Sequence, residues 1–196
     1  PIFVSGLKDG DAIRFLEDAL VPLKPAAIIA ATAFASQTDQ DGKSLFDRLG
    51  VPVFQVIMAT TRLDGWAENM RGLNPSDLAM HVVLPELDGR ILAGAISFKQ
   101  ADPAGREGMI NAPEPDRVEQ VARRIAAFLR LTQTATEERR LVILMPDYPG
   151  AAPGRTGYAV GLDVPQSVLE MLRDLQYAGY AVGDIPANAR ELLDRI

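Results

Sequence analysis

Residues 51–58 read VPVFQVIM, an apolar run set between Gly50 and the more polar ATTRLDG of residues 59–65. Valine, isoleucine and phenylalanine suit a pleated backbone, and apolar side chains fall on both alternating sets of positions. Such a strand has no face to offer water. It belongs inside a sheet covered on both sides, and sheets of that kind are mostly parallel.

The flanks extend this reading in both directions. Residues 44–49 read as a short helix closed by Gly50, which stands where a left-handed C-terminal cap is wanted. Residues 27–34, AAIIAATAF without its first alanine, form a second apolar strand. Before it, residues 11–21 read as a helix with Ile13, Leu16 and Leu20 on one face and Pro22 to stop it. Residues 2–4 form a first strand ending at Gly6. On the other side, residues 63–70 read as a helix carrying the single tryptophan, Trp66. Short apolar runs alternating with amphipathic stretches predict a layered α/β fold, a mostly parallel sheet with helices on both faces.

The pattern changes after residue 80. Residues 81–84 and 90–98 are strand-like and flank PELDG, and Asp88-Gly89 between two such runs predicts a hairpin over 81–98. Residues 99–113 are polar, contain Gly105 and Gly108, and read as a mobile loop. Residues 116–131 read as a helix whose buried stripe is Val118, Val121, Ile125, Phe128 and Leu129, opposite Arg123, Arg124 and Arg130. The chain therefore divides into an α/β domain at 1–131, a linker at 132–140 (TQTATEERR) and a second α/β unit beginning at 141–196. That second unit reads as strand 141–145, helix 165–178, strand 180–182 and helix 187–196. Two strands are too few to close a sheet. With an opening Pro1 in place of methionine, this predicts a truncated unit within an excerpt of a longer protein.

Composition excludes several classes of function. Of 196 residues, 47% are hydrophobic and 23% charged, the mix of a folded chain with a sizeable core. The net charge of −6 comes without a basic stripe, which argues against a nucleic-acid partner. No apolar run approaches the ~20 residues that span a bilayer, and no signal-like segment opens the chain, so no membrane partner is expected. The absence of cysteine rules out disulfides and thiolate chemistry and fits a reducing, cytoplasmic setting. One histidine means that a zinc site would need mostly carboxylates, and a triad could use only His81.

Three features carry possible chemistry. The loop PGAAPGRTG at 149–157 imitates a phosphate-binding loop, but Pro149 stands where the first glycine belongs and Arg155 replaces the lysine. Its helix starts about eight residues too late to point at a phosphate, so no nucleotide site is assigned there. Tyr148, Arg155 and Tyr158 could instead stack on and ion-pair with a flat, carboxylate-rich ligand, or simply be exposed. Glu86 and Asp88 could share a metal or work as an acid/base pair; turn chemistry alone has Asp88-Gly89 making the turn and Glu86 solvated beside it. His81, between apolar residues, is either a hydrogen-bonded core side chain or a ligand or base titrating near neutrality.

Three stretches together resemble one family. They are GLNPSDLAMHVVLPELDGRILAGAISFK (72–99), DRVEQVARRIAAFLRL (116–131) and RLVILMPDYPGAAPGRTGYAVGLDVPQSVLEMLRDLQYAGYAV (140–182). The LPELDG and YPG…GYAVGLDVPQS runs are similar to the large, tetrapyrrole-binding subunit of aerobic cobaltochelatase, the CobN family, which is related to the magnesium chelatase H subunit. The resemblance implies insertion of cobalt(II) into hydrogenobyrinic acid a,c-diamide during aerobic cobalamin synthesis, coupled to ATP hydrolysis by two partner motor subunits. Cobalt(II) is then a substrate and ATP belongs to the partners, with neither expected on this chain. It further implies that chelation residues lie mostly elsewhere, leaving this chain inactive alone and structural or substrate-proximal, with His81, Glu86, Asp88, Tyr148 and Arg155 as substrate-contact candidates. A magnesium chelatase segment is the nearest alternative. A self-contained flavodoxin-like receptor or a docking scaffold for the motor subunits are the others.

Overall fold

β2 (Val53–Arg62) is buried at each of its first five residues, as a strand apolar on both sides must be. The computed structural model describes residues 1–145, 159 and 161–196. These divide into two compact units, Pro1–Leu129 and Arg130–Ile196. In the first, the chain runs through α1 (Gly10–Leu20), β1 (Ile28–Ala30), α2 (Leu45–Leu49), β2, α3 (Leu63–Glu68), α4 (Pro75–Leu78), a π-helical turn (Ala79–Val83), α5 (Leu84–Glu86), β3 (Ile91–Ala101), β4 (Met109–Pro113) and α6 (Pro115–Gln133). β1, β2 and β3 are parallel neighbours, and β4 joins β3 antiparallel at the edge.

Side chains alternate across β2, and each side has its own helices. Val53 packs with Ile13 and Leu16 of α1 and with Leu45 and Phe46 of α2. Ile57 and Ala59 point the same way and meet Leu63 and Trp66 of α3 together with Phe98 of β3. Phe54 and Val56 point the other way, onto Val121 and Ile125 of α6. Phe128 of α6 adds an edge-on contact to the Phe54 ring at 5.2 Å, whereas Val118 is exposed. Helices therefore cover both faces. α2 forms where predicted, with a reciprocal Ser44–Asp47 capping box at its start and Gly50 in the left-handed region at its end.

The β2–β3 ladder shifts register at three places, and two of them are extra residues on β3. Gln55 pairs with Leu92 but Val56 with Gly94, and Ile57 with Ala95 but Met58 with Ser97. Ala93 and Ile96 are thus the extra residues, and both pack with Val121 and Ile125 of α6. Gly94 sits at φ 144°, and a Cβ there would stand 3.3 Å from Cγ2 of Val121.

Several predicted elements take another form. Residues 2–4 are not a strand; they find no ladder partner among the described residues, and Phe3 is 89% exposed. The strand expected at 27–34 ends at Ala30, because the chain is pulled out of the sheet by bonds described below. No Asp-Gly hairpin exists over 81–98. Residues 75–86 are helical, and the N–H groups of Leu87, Asp88 and Gly89 bond back to the carbonyls of Leu84, Pro85 and Glu86. Gly89, at φ 69°, ends that helix and turns the chain into a strand parallel to β2. The hairpin lies instead in the region read as a loop, where β3 runs on to Ala101 and pairs with β4 from Ser97↔Pro113 to Ala101↔Met109.

The second unit contains α7 (Val164–Tyr177) and α8 (Ala189–Asp194), with a short 3₁₀ turn at Thr136–Glu138 ahead of them. Residues 132–133, assigned to a linker from sequence, are the end of α6. The strands expected at 141–145 and 180–182 form no ladder among the described residues. Ile143 and Met145 instead pack against Val164, Val168, Leu169 and Leu192. The glycine-rich loop at 149–157, with Tyr148, Arg155 and Tyr158, lies outside the described residues.

Candidate functional site

The helical segment 75–86 is fastened at both ends. At its start Asn74 caps α4, Pro75 occupies the first turn, and the Asp77 N–H donates to Asn74 Oδ1 at 2.7 Å. The Asp77 carboxylate is fully buried and receives the N–H and hydroxyl of Thr60 (3.0 and 2.8 Å) and of Thr61 (2.8 and 2.6 Å). Burial pushes this carboxyl up, but the hydrogen bonds from Thr61 and Thr60 outweigh it and hold Asp77 below the ordinary carboxylate range. The segment is thereby anchored to the carboxyl end of β2.

In its middle the helix widens into the π turn, just ahead of Pro85. Leu84 N–H bonds to the Ala79 carbonyl in the wider π pattern, and residue 85 has no N–H to give. The Met80 carbonyl is thus left without a helical donor, and it accepts instead from Phe34 N–H at 2.9 Å. Phe34 carries φ 63°, a left-handed conformation that costs a side-chain-bearing residue about 1–2 kcal/mol. Two neighbouring bonds hold it there. Its own carbonyl accepts from Arg90 Nη2 at 3.0 Å, and Ser36 N–H donates to both Asp88 carboxylate oxygens at 2.8 and 3.1 Å.

Arg90 is the hub of this part of the molecule. Its side chain is fully buried and pairs with Asp88, Nη2 to Oδ2 2.6 Å and Nε to Oδ2 3.0 Å. Nη1 reaches Gln55 Oε1 at 2.8 Å and the Thr32 carbonyl at 2.9 Å, and the guanidinium lies 5.0 Å from the Phe46 ring centre. Burial lowers the pKa of Arg90, and the hydrogen bond and charge of Asp88 act against that loss. Asp88 is therefore spent on structure. Glu86, two residues earlier, is exposed and has no side-chain partner among the described residues, so the motif offers one free carboxylate and not a pair. His81 is buried in the π turn, and its Nδ1 has no hydrogen-bond partner among the described residues. No three His, Asp or Glu side chains cluster as a metal site among the described residues.

Beyond the carboxyl end of β1 the chain borders an open cleft of about 710 Å³, within the roughly 300–1,000 Å³ of small-molecule sites. The cleft is lined by residues 1–8, by Ile29, Ala31, Ala33 and Phe34, and by Met58 of the longer β2. The Lys8 ammonium lies 5.5 Å from the centre of the Phe34 ring.

The whole chain, residues 1–196, matches the CobN/Magnesium Chelatase family. This chain belongs to that family. It is 38% identical over 199 residues to the aerobic cobaltochelatase subunit CobN of Sinorhizobium sp, covering 98% of this chain and 16% of that protein. The CobN subunit of Pseudomonas aeruginosa is 34% identical over 200 residues, and the chloroplastic magnesium-chelatase subunit ChlH of Oryza sativa subsp. indica 32% over 208. Among solved structures, the catalytic subunit of cobaltochelatase from Mycobacterium tuberculosis superposes with a TM-score of 0.76 at 27% identity, over 98% of this chain and 17% of that one. The chain thus spans about one sixth of these relatives.

Placed in the CobN/Magnesium Chelatase fold, the LPELDG motif is the end of a helix and the turn behind it, with Arg90 locking that turn in place. Sequence reasoning missed Arg90, Gln55 and Asp77. Asn-Pro-Ser-Asp at 74–77 is a helix-start signal that would have placed Asp77 and corrected the strand reading of 81–84. A charged Arg90 at the head of an apolar strand was a weaker hint. Nothing local marks Phe34 for a left-handed backbone.

Proposed function

We propose that this chain is a substrate-contacting segment of the large subunit of an ATP-dependent metal chelatase that inserts cobalt(II) into hydrogenobyrinic acid a,c-diamide. The observation that carries this reading is the likeness, over nearly the full chain, to a cobaltochelatase catalytic subunit. Cobalt is favoured over magnesium by the higher identities to the two CobN subunits than to the chloroplastic ChlH subunit. ATP hydrolysis falls to two partner subunits, consistent with Arg155 where a phosphate-binding lysine would stand. No helix of the described residues is long and apolar enough to cross a membrane; the cytoplasmic setting is proposed from the absence of cysteine.

Metal insertion exchanges protons on the inner ring nitrogens for the cation, so the protein must offer a base that is not already hydrogen-bonded elsewhere. Within the motif, Glu86 meets that requirement and Asp88 does not. Glu86 is the residue of this segment assigned to proton acceptance or to handing over the metal, and His81, buried nearby in sequence with a free Nδ1, is a substrate-contact candidate. Tyr148 and Arg155 keep the roles given by the resemblance. The excised chain, with only these groups, is expected to be inactive.

The test is cobalt insertion by the full-length subunit with its ATPase partners, followed by the macrocycle's absorbance, with magnesium as the competing metal. ATP-dependent cobalt insertion, reduced in Glu86→Gln, supports the reading. Preference for magnesium and a porphyrin would move the chain to the other branch of its family, and metal insertion by the isolated segment would overturn its assignment as a part.

A further inference from the structure

Phe34 combines three properties that rarely coincide. Its backbone is held in the left-handed region, the residue is 43% exposed and lines a cleft, and a cation without an ion-pair partner among the described residues stands over its ring. Glycine would meet the backbone requirement at no cost, so what this position presents is the ring itself. The conformation is imposed from outside. Met80 carbonyl holds the Phe34 N–H, Arg90 holds its carbonyl, and Asp88 holds Ser36, all three within or just behind the segment that ends in LPELDG. Strain that neighbouring elements impose so fully is characteristic of functional positions. The nearby residues Ala31, Ala33 and Ala35, which line the same cleft, are small.

A partly exposed aromatic ring with an ammonium 5.5 Å from its centre matches a ligand that is flat, extended and edged with carboxylates, whose rim would draw the ammonium aside as its face takes the ring. We propose that Phe34 is the platform on which one face of the metal-free macrocycle stacks, and that Lys8 pairs with a carboxylate on its rim. This rests on the chelatase reading above and names the residues that would position the substrate. Phe34 is a positioning residue: it fixes the plane of the ring while the free Glu86 carboxylate and groups elsewhere in the subunit serve the metal exchange. Because Met80 holds Phe34, Asp88 holds Ser36, and the two flank Glu86 in sequence, the segment that carries the free carboxylate also sets the platform.

The experiment is a titration of the full-length subunit with hydrogenobyrinic acid a,c-diamide, read by the macrocycle's absorbance and induced circular dichroism. Phe34→Gly removes the ring while relieving the backbone, so it is expected to fold with an unchanged or higher unfolding midpoint. Loss of stacking should weaken binding about tenfold and remove most of the induced signal. Phe34→Tyr should keep both. Lys8→Gln should weaken binding of the free acid about threefold to tenfold and leave binding of its methyl esters unchanged. A parent subunit that takes up no macrocycle overturns the chelatase reading and this one with it. A parent that binds, with Phe34→Gly and Lys8→Gln binding equally well and giving the same induced signal, overturns this inference alone.

Discussion

Arg90 and Asp88 stand on either side of Gly89 and nevertheless form a buried pair, Nη2 to Oδ2 2.6 Å, with side-chain exposures of 0% and 3%. The pair ties the loop after β1 to the turn before β3, since Arg90 also holds Thr32 and Phe34 while Asp88 holds Ser36. Breaking a buried pair from one side strands the other charge. Asp88→Ala and Arg90→Ala should each lower unfolding free energy by roughly 3–5 kcal/mol, and the double variant by clearly less than their sum. Denaturant unfolding of the three variants measures this, and simple additivity would refute the coupling.

Asp77 gives the fold a dependence on pH with a definite sign. Its folded pKa lies below that of an ordinary aspartate, so its contribution is fully present above the unfolded pKa and is lost as pH falls through the folded pKa. Asp77→Asn places a donor among the Thr60 and Thr61 donors and should cost about 1–3 kcal/mol near neutrality. The gap between parent and variant should narrow as the unfolding series is taken below pH 4. A gap that is constant with pH would mean that the carboxylate's charge is not what the threonines hold.

Pro85 acts at a distance by withholding a hydrogen bond. Restoring an N–H with Pro85→Ala offers the helix a donor in the register of the Met80 carbonyl, which now serves Phe34. Amide exchange at Phe34 should then quicken about fivefold, the equivalent of ~1 kcal/mol, relative to the amides of β2. Unchanged exchange would show that Arg90 and Asp88 hold the loop without help from the proline.

Gly94→Ala tests the packing of α6 on the curled strand. The added methyl meets Val121 at 3.3 Å and forces a side chain onto φ 144°. A loss of roughly 1–3 kcal/mol is expected, and a Val121→Ala background should recover the steric part but not the backbone part.

Glu86→Gln separates chemistry from stability. Glu86 is exposed and unpaired among the described residues, so its unfolding midpoint should match the parent within about 0.5 kcal/mol. Cobalt insertion by the assembled enzyme should nevertheless fall roughly 100-fold or more, the scale of a lost general base. Normal insertion would remove Glu86 from the chemistry.

The amino-acid sequence alone determined the covered parallel core, because a strand such as VPVFQVIM has no polar face and can be buried in one way only. It also determined α1, α2, α6 and α7, whose apolar spacing and caps are local properties. The family was legible from the LPELDG and GYAVGLD runs. What Asp88-Gly89 does was not, since the same two residues suit a hairpin or the end of a helix, and only the pairing of β3 with β2 decides between them. Tertiary structure alone separated Glu86 from Asp88, by bringing Arg90 and Ser36 onto one carboxylate and leaving the other in water. It also placed Phe34 in a conformation that no local preference favours, through bonds to Met80 and Arg90, residues distant in sequence. Local patterning fixes which residues are buried in which element, whereas the availability of a polar group depends on which distant partner reaches it first.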